Sequence, residues 1–435
     1  MSKVLFSGAM IVPVDESRPG FFTGDILVEG GLISKISEFP ERITTETEVK
    51  VIDAGRLILM PGMVNTHGHA AMVLFRGYAD DLPLKEWLEQ KIWPVEAKLT
   101  SEDIYWGTLL SIVEMLKGGT TTFADMYFYM DQVAQAVGES GIRAVLCRGL
   151  IGVGENSATS LQEGEQFYRD WHGRGAGRIN VTLGPHAPYT CPPEFLKKVI
   201  IAADRLHLPL QIHLSETAGE VEACRQEYGC SPIVLMERLG LFEQKVIAAH
   251  CVHLDDEDIQ IMARRQVRVA HNPGSNLKLG SGVAPVAKLL AAGVTVGLGT
   301  DGAASNNNLD MFEEMRLAAL LAKGINRDPT LIPADKALRM ATVDGAAALF
   351  LEKTGQLKEG FRADMIGISR ELPHAVPLHD LPAHLLYSAG AADVRLVMVD
   401  GEMILEKGEL LYLDEEKIKA EAAARAAKLT GRSET

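Results

Sequence analysis

The segment VNTHGHAAMVLFRG, residues 64–77, carries two histidines, His67 and His69, separated by a single glycine. In a β-strand, residues i and i+2 project from the same face. If this apolar segment forms a strand, both imidazole rings therefore enter one small volume. The pair is either part of a metal site or a chance feature of a chain that has 12 histidines.

Short apolar runs of this kind alternate with helical patterns after Pro61 and Gly62. Strands that alternate with helices pair in parallel, and eight such repeats in roughly 240 residues are typical of a (β/α)₈ barrel. The runs are GMVNTHGH, GTTTFADM, IRAVLCRGL, INVTLGPHAP, LPLQIHLSE, KVIAAHCVH, VRVAHNPGS and VTVGLGTDG. We therefore predict an α/β fold built on a (β/α)₈ TIM-like barrel.

Both ends of the chain have a residue pattern that differs from that of the middle. Short alternating segments rich in β-branched residues and broken by Gly and Asp fill the first 60 residues, and they return near residue 356. We predict a small β-sandwich domain built from residues 1–60 and 356–415, around a metal-dependent barrel of residues 61–355. The charged, Ala-rich residues 416–435 predict a C-terminal helix and tail.

Composition limits the possible partners. The net charge of −15 argues against nucleic acid or an anionic membrane, because phosphate binding needs clustered Lys and Arg. Five cysteines without a Cys-x-x-Cys pair fit a reducing compartment. We find no secretory signal and no apolar window approaching about 18 residues. We expect a cytoplasmic enzyme that acts on a small molecule, and a homo-oligomer because large barrel enzymes often associate.

Polar residues close several of the apolar runs. Barrel strands end at the face where the loops build the active site, so these residues should converge. They are His67, His69, His186, His213, Glu216, His250 and Asp301. Three imidazoles and one carboxylate, from His67, His69, His213 and Asp301, suit Zn²⁺ or Fe²⁺ with one position left for water. We therefore predict a metal site.

Two carboxylates are candidates for proton transfer. Glu216 follows His213 by three residues, and a carboxylate beside an activated water can relay a proton to a substrate nitrogen. Asp301 could both bind the metal and accept a proton from the water. Of the other histidines, His271 could support the site and His253 stays open. Those expected to be structural are His172, His207, His374, His379 and His384.

With these residues in place, the chain resembles the amidohydrolase superfamily over essentially its whole length. His67-x-His69, His213, His250 and Asp301 match the strand-end pattern of that superfamily in order and spacing. Members with two metals carry a bridging lysine at the end of strand four. Here that run closes with GPHAPY, residues 184–189, and has no lysine, so the resemblance implies a mononuclear site.

Longer stretches narrow the resemblance to the 5-methylthioadenosine/S-adenosylhomocysteine deaminase family. They are PGMVNTHGHAAMVLFRG, GPHAPY, IHLSET, AAHCVHL, HNPGSNLKLGSGVAPV and GTDGAASNNNLDMFEEMRLA. The resemblance implies that the metal ligands are His67, His69, His213 and Asp301. It also implies that His250 polarises the attacking water and that Glu216 handles protons at the purine ring.

Substrate contacts follow from the same resemblance. Glu96 matches the residue that binds the ribose hydroxyls, Arg148 and His186 match further contacts, and Trp87 resembles part of the wall around the nucleoside. The family often has a second arginine about a dozen residues beyond Arg148, but residues 155–167, ENSATSLQEGEQF, contain none. This difference favours nucleosides with a neutral 5′ group over S-adenosylhomocysteine.

The implied reaction is metal-dependent hydrolytic deamination at C6 of adenine, which gives the inosine analogue and ammonia. 5′-Methylthioadenosine, S-adenosylhomocysteine, adenosine and 5′-deoxyadenosine all stay open as substrates, and the metal is Zn²⁺ or Fe²⁺. One alternative is another mononuclear amidohydrolase, such as an s-triazine hydrolase or a guanine deaminase. A remote alternative is a non-catalytic scaffolding relative, a class that typically loses metal ligands.

Overall fold

The computed structural model describes residues 3–45, 48–154 and 157–431. Each of the eight apolar runs contains a strand, and the fourth run contains two. The strands are β1 Lys3–Ile11, β2 Phe22–Glu29, β3 Leu32–Glu38, β4 Lys50–Asp53, β5 Leu57–Pro61, β6 Met63–Asn65, β7 Thr120–Tyr127, β8 Arg143–Leu150, β9 Ile179–Val181, β10 Gly184–Pro185, β11 Leu210–Leu214, β12 Val246–His250, β13 Arg268–His271, β14 Val296–Leu298, β15 Met365–Ser369, β16 Val394–Val399, β17 Glu402–Glu406 and β18 Glu409–Leu410.

Two sheets in the middle of the chain are parallel throughout. One has the order β10-β8-β7-β6 with β9 also paired to β8, and the other has the order β11-β12-β13-β14. The sheets meet at two places. The N–H of Thr66, just after β6, donates to the carbonyl of Leu298 on β14 over 2.8 Å, and Leu183 forms a β-bridge with Leu210 on β11.

Burial explains why these strands read as continuous apolar runs. All residues of β7, β11 and β12 are buried, including the polar ones. Strands of a parallel sheet are covered on both faces, so both sets of side chains leave water. The predicted α/β class is confirmed by this alternation of parallel strands and helices.

A third sheet combines strands from both ends of the chain. Its nine strands have the order β18-β17-β16-β15-β5-β1-β2-β3, and β4 pairs with β1. The two ends meet where β5 and β15 run antiparallel, with Pro61 opposite Met365 and Leu57 opposite Ser369. This sheet therefore ties the beginning of the chain to its end, directly beside the point where the parallel strands start.

Helices connect the strands. They are α1 Leu84–Glu86, α2 Trp93–Glu96, α3 Ser101–Lys117, α4 Met130–Ser140, α5 Ser157–Trp171, α6 Arg174–Gly177, α7 Pro193–Leu206, α8 Ala218–Tyr228, α9 Pro232–Arg238, α10 Asp256–Arg264, α11 Pro273–Lys278, α12 Val286–Ala291, α13 Ala303–Asn306, α14 Met311–Asn326, α15 Ala334–Ala341, α16 Val343–Ala348, α17 Leu381–Tyr387 and α18 Glu415–Thr430. A π-helical stretch, Trp87–Ile92, joins α1 to α2, and single 3₁₀ segments cover Ala70–Phe75, Leu241–Glu243, Pro373–Ala375 and Ala391–Asp393.

Local sequence signals determine where several helices begin. The hydroxyl of Thr100 accepts the N–H of Asp103, and the Asp103 carboxylate accepts the N–H of Thr100 in return. This reciprocal capping box satisfies backbone donors that the first helical turn leaves free. Asp255 and Asp258 form the same box before α10. Within the described ranges, no helix combines the length and the apolar character that crossing a bilayer requires.

A buried ion pair connects the parallel strands to the nine-stranded sheet. Arg143 at the start of β8 donates from Nε to Asp364 over 2.8 Å and from Nη2 over 3.1 Å, and Asp364 also accepts the N–H of Asp400 over 2.7 Å. Arg143 is 3% exposed and Asp364 is 2% exposed. Removal of one partner would leave the other charge buried without compensation.

We therefore expect Arg143→Ala to lower the free energy of unfolding by about 3–5 kcal/mol, the usual cost of breaking a buried pair from one side. Urea unfolding followed by circular dichroism measures the change. Lys288→Ala is the matched control: Lys288 and Asp256 form an ion pair with side chains 66% and 85% exposed, and such exposed pairs contribute little to stability. Equal unfolding midpoints for the two variants would contradict the structural role of the buried pair.

Candidate active site

Strand ends bring the predicted site histidines into one volume. His67 and His69 follow β6, His213 lies on β11 and His250 ends β12. The ring centre of His67 lies 4.9 Å from that of His69 and 4.7 Å from that of His213. The His250 ring centre is 5.4 Å from that of His67. Residues far apart in the chain thus meet where the parallel strands end.

Three imidazole nitrogens lie close to one another in this volume, and a carboxylate oxygen lies beside two of them. Nε2 of His69 and Nε2 of His213 are 3.4 Å apart. Oδ1 of Asp301 lies 3.3 Å from Nε2 of His69 and 3.6 Å from Nε2 of His67. Nε2 of His67 is buried and has no hydrogen-bond partner in the part of the chain that the structure describes. A buried nitrogen without a partner is costly, and a cation between these atoms would satisfy it.

Backbone carbonyls hold two of the rings in the orientation that metal binding requires. Nδ1 of His69 lies 2.7 Å from the carbonyl of Met126, and Nδ1 of His213 lies 2.7 Å from the carbonyl of His186. Because a carbonyl oxygen only accepts, each Nδ1 carries the hydrogen and each Nε2 keeps its lone pair. A carbonyl behind a metal-binding imidazole commonly plays this part.

The protonation states also fit a metal. Burial lowers the pKa of His67 and of His213 well below the usual range, so both rings are neutral at pH 7. Burial alone would raise the pKa of Asp301, but His69 and His250 outweigh it and hold that pKa below its ordinary value. Neutral imidazoles and an ionised carboxylate are the forms that bind divalent cations, so this donor set fits a single metal ion.

Hydrogen bonds hold Asp301 in an unusual backbone conformation. Its φ is +63°, a left-handed value that a side chain other than glycine adopts only under constraint. Its backbone N–H donates to the carbonyl of His67 over 3.0 Å. Its Oδ2 accepts the hydroxyls of Ser275 over 2.6 Å and of Ser305 over 3.0 Å. The surrounding loops therefore determine where the carboxylate points.

Close approach of two strand ends explains why residue 299, two positions before Asp301, is a glycine. A Cβ at Gly299 would lie 2.5 Å from Oδ1 of Asn272 and 2.8 Å from the backbone nitrogen of His67. No side chain fits at that distance. The Gly-rich run before Asp301 thus lets the end of β14 pack against the segment that carries the His-x-His pair.

Glu216 and His250 form an acid–base pair beside the metal-ligand candidates. Oε2 of Glu216 is 3.8 Å from Nε2 of His250, and Oε1 of Glu216 lies 3.4 Å from the hydroxyl of Ser281. Burial raises the pKa of Glu216 above its ordinary value. Burial alone would lower the pKa of His250, but Glu216 and Asp301 raise it on balance. A carboxyl group with a raised pKa keeps its proton to higher pH than an exposed glutamate does, which suits a group that donates a proton.

Some supporting residues were not predicted from the sequence. Oδ1 of Asn276 lies 2.8 Å from Nδ1 of His250 and thereby orients the ring. Ser275, Ser281 and Ser305 contact the two candidate carboxylates. These side chains come from loops and short helices after the strands, where no periodic pattern marks them. The only signal was their presence in stretches that resemble the deaminase family.

Two of the predicted substrate-contact residues, Glu96 and His186, lie near the histidine cluster. Glu96 is linked to the site by Tyr127, whose hydroxyl donates to Oε1 of Glu96 over 2.6 Å and whose ring centre is 6.2 Å from that of His69. The ring centre of His186 is 4.9 Å from that of His213, and burial lowers the pKa of His186 to about 4. Both residues therefore border the histidine cluster.

Trp87 and Arg148 make other contacts. Trp87 is 5% exposed, and its indole N–H donates to the carbonyl of Ala79 over 2.9 Å. Nε of Arg148 donates to Glu163 of α5 over 2.9 Å, and the guanidinium carbon lies 5.3 Å from the centre of the Phe128 ring. Neither side chain contacts the four metal-ligand candidates among the contacts described.

His253 and His271, which also lie near strand ends, are outside the histidine cluster. Nε2 of His253 is 2.7 Å from the carbonyl of Ser281, so this ring supports the loop that faces Glu216. His271 is buried, burial lowers its pKa to about 3, and its Nδ1 has no partner among the residues described. Neither ring belongs to the group of three histidines that could hold a metal ion.

Comparison with known proteins identifies the family of this chain. The model of the amidohydrolase family matches residues 58–404, and the chain therefore belongs to the amidohydrolase family. The matched region includes every residue of the histidine cluster and both candidate carboxylates.

Named enzymes are among the similar sequences and the similar solved structures. The chain is 56% identical over 428 residues to a 5-methylthioadenosine/S-adenosylhomocysteine deaminase from Desulforudis audaxviator. The alignment covers 98% of this chain and 99% of the relative. A deaminase of the same name from Pelotomaculum thermopropionicum is 51% identical and covers 99% of this chain and 100% of the relative. An adenosine deaminase from Xanthomonas campestris with bound zinc superimposes with a TM-score of 0.94 at 35% identity, over 99% of each chain. An atrazine chlorohydrolase from Arthrobacter aurescens complexed with zinc gives 0.91 at 26% identity, over 97% of this chain and all of its own.

We expect His213→Ala to lose the metal, because it removes one of the three imidazoles that lie together in the described part of the chain. Elemental analysis of the purified variant should find below about a tenth of an ion per chain, compared with about one in the unaltered protein. His379→Ala, a change of an exposed histidine outside the cluster, should keep the full content. Equal metal in both variants would remove His213 from the ligand set.

Proposed function

We propose that this chain deaminates 5′-substituted adenosines by hydrolysis at C6 of adenine, giving the inosine analogue and ammonia. The observation that carries the proposal is the position of Glu216 and His250 directly beside the candidate metal ligands. Identities of 51% and 56% over nearly the whole chain to enzymes named for this reaction support the same conclusion.

We propose that His67, His69, His213 and Asp301 hold one Zn²⁺ ion. The zinc in two similar solved structures supports this choice over Fe²⁺. The fourth parallel run, which ends in β10 and GPHAPY, has no lysine that could bridge a second metal. When bound, such an ion acts as a Lewis acid that makes water a nucleophile near neutral pH.

In the proposed reaction, His250 and Asp301 orient the attacking water and accept its proton. As the oxygen bonds to C6, Glu216 donates a proton to N1, which relieves the negative charge that develops on the ring. The proton taken from the water then moves to the exocyclic nitrogen, the C6–N bond breaks and ammonia leaves. The remaining hydroxyl proton returns to Glu216 as the C6 carbonyl forms. The raised pKa of Glu216 supports its part, since the carboxyl group must carry a proton at working pH.

The remaining contacts would select the nucleoside. We propose that Glu96, oriented by Tyr127, accepts hydrogen bonds from the ribose hydroxyls, and that Trp87, Arg148 and His186 line the rest of the site. Glu163 lies 2.8 Å from Nη2 of Arg148, so a carboxylate already neutralises this cation. Together with the lack of another arginine in residues 155–167, this pairing favours a neutral 5′ group such as methylthio.

We further propose that the two parallel sheets close into one (β/α)₈ barrel. The hydrogen bond from Thr66 to Leu298 and the bridge from Leu183 to Leu210 support closure at both edges. One buried cluster includes side chains from β6, β7, β8, β12 and β13, which supports a shared interior: Val64, Ala124, Val145, Ile247, Ala249 and Ala270.

We propose the predicted boundaries for the remaining architecture: a β-sandwich domain from residues 1–60 and 356–415, a barrel from residues 61–355, and a helix and tail from residues 416–435. The pairing of β5 with β15 supports a domain built from both chain ends. We also propose that the chain is a cytoplasmic homo-oligomer without a nucleic-acid or membrane partner. The net charge of −15 supports the absence of phosphate-binding surfaces.

Ammonia release from a panel of compounds tests the proposed function. The panel contains 5′-methylthioadenosine, 5′-deoxyadenosine, adenosine, S-adenosylhomocysteine, 2′-deoxyadenosine, guanine and atrazine. We expect the highest kcat/KM for the neutral 5′-substituted adenosines, and a kcat/KM at least about tenfold lower for 2′-deoxyadenosine than for adenosine, because Glu96 would lose a charged hydrogen bond. Turnover of guanine or atrazine in preference to every adenosine would replace this proposal with the corresponding alternative.

Glu216→Gln should keep the metal and lose most of the turnover. The amide preserves shape but cannot shuttle a proton, so kcat should fall by about 10²–10⁴-fold. Metal content and kcat are measured on the same sample. Glu222→Gln, on the exposed side of α8, should keep both. Near-normal kcat in Glu216→Gln would refute the role assigned to this carboxylate.

A further inference from the structure

The turn between β11 and α8 is held by a carboxylate that the proposed reaction does not use. Oε1 of Glu220 accepts the backbone N–H of Ser215 over 2.9 Å, and Oε2 accepts the backbone N–H of Glu216 over 2.8 Å. Both oxygens of one side chain therefore bind two consecutive amides. The second of these amides belongs to the residue that would carry the proton to the substrate.

The same peptide is held from its other side. The carbonyl of Ser215 accepts the N–H of Val252 over 3.0 Å and the N–H of His253 over 2.9 Å, both from the loop after β12. The peptide unit between Ser215 and Glu216 thus has its C=O fixed by one loop and its N–H fixed by Glu220. No freedom remains for this peptide to rotate while these bonds persist.

The backbone needs this restraint. Ser215 has a φ of +52°, in the left-handed region that residues with a side chain rarely adopt. In this conformation the Glu216 carboxylate reaches the ring of His250 and the hydroxyl of Ser281. If the peptide rotated, the Cα–Cβ bond of Glu216 would point in a different direction, and the carboxylate would no longer reach these two groups.

Helix capping alone does not explain Glu220. Thr217 caps α8, and its hydroxyl accepts the N–H of Glu220 over 3.1 Å. In the capping boxes before α3 and α10, Asp103 and Asp258 occupy the same position of the first turn, and their carboxylates reach back three residues to the capping residue. The Glu220 carboxylate reaches four and five residues back, beyond the capping residue, and contacts the turn itself.

We propose that Glu220 is a positioning residue that sets the direction of the Glu216 carboxylate by holding the Ser215–Glu216 peptide. This inference rests on the proposed function, in which Glu216 transfers the proton. This role requires a side chain that has two hydrogen-bond acceptor oxygens and that is long enough to reach both backbone N–H groups, as glutamate is. An aspartate is one methylene shorter, and an amide would place an N–H donor against a backbone N–H.

Glu220→Asp tests the proposal, because it keeps a carboxyl group in the first turn of α8 but shortens its reach. We expect kcat to fall by about 10²-fold, the scale of a misplacement near 1 Å, while KM stays within about twofold. Metal content should match that of the unaltered protein, and the variant should stay folded at the assay temperature. Glu220→Gln should also lose kcat. Glu222→Asp, the same change two residues along the helix on its exposed side, should keep full kcat.

Hydrogen exchange supplies a readout that does not depend on catalysis. In Glu220→Asp, the amides of Ser215 and Glu216 should exchange at least about tenfold faster, while those of the middle of α8 keep their rates. Unchanged kcat and unchanged exchange in Glu220→Asp would overturn the proposal, as would a loss of kcat that only follows loss of metal or of folded protein. If the unaltered protein deaminates no adenosine, the proposed function fails, and the exchange result alone then decides whether Glu220 holds the turn.

Discussion

The site depends on the meeting of three imidazole nitrogens and one carboxylate oxygen where the parallel strands end. Nε2 of His69 faces Nε2 of His213 at 3.4 Å, and Oδ1 of Asp301 faces Nε2 of His69 at 3.3 Å. Carbonyls behind two of the rings direct their lone pairs inward, so the atoms that face one another are all electron donors. Such an arrangement is unfavourable by itself and becomes favourable around a cation, which would therefore stabilise the fold as well as supply the chemistry.

The neighbouring backbone is strained in order to present these groups. Left-handed φ values occur at Ser215, His250, Cys251 and Asp301, each at or just after a strand end. Hydrogen bonds from other segments hold the turns at Ser215 and Asp301: the carbonyl of Ser215 accepts from Val252 and His253, and the carboxylate of Asp301 accepts from Ser275 and Ser305. The pattern is consistent with a preorganised site, in which donors and acceptors are in place before the substrate arrives.

Much of this architecture could be predicted from the sequence, because the period of apolar residues and the position of polar residues along each run carry the information. His67, His213 and Asp301 could be grouped since each ends a run that reads as a parallel strand. Asn276, Ser281 and Glu220 could not, because loop geometry has no period and a hydrogen bond to a backbone amide leaves no mark in the sequence. Arg148 illustrates a different limit: its position at a strand end was visible, but its ion pair with Glu163 depends on how α5 packs. The domain boundaries and the closed barrel stay predictions.

Titration of metal-free protein with Zn²⁺, followed by ammonia release from 5′-methylthioadenosine, tests the central claim most directly. A single site made by His67, His69, His213 and Asp301 requires that activity be absent at the start, rise in proportion to added zinc and stop rising at one ion per chain. Undiminished activity in the metal-free protein, or a rise that continues to two ions per chain, would contradict the account.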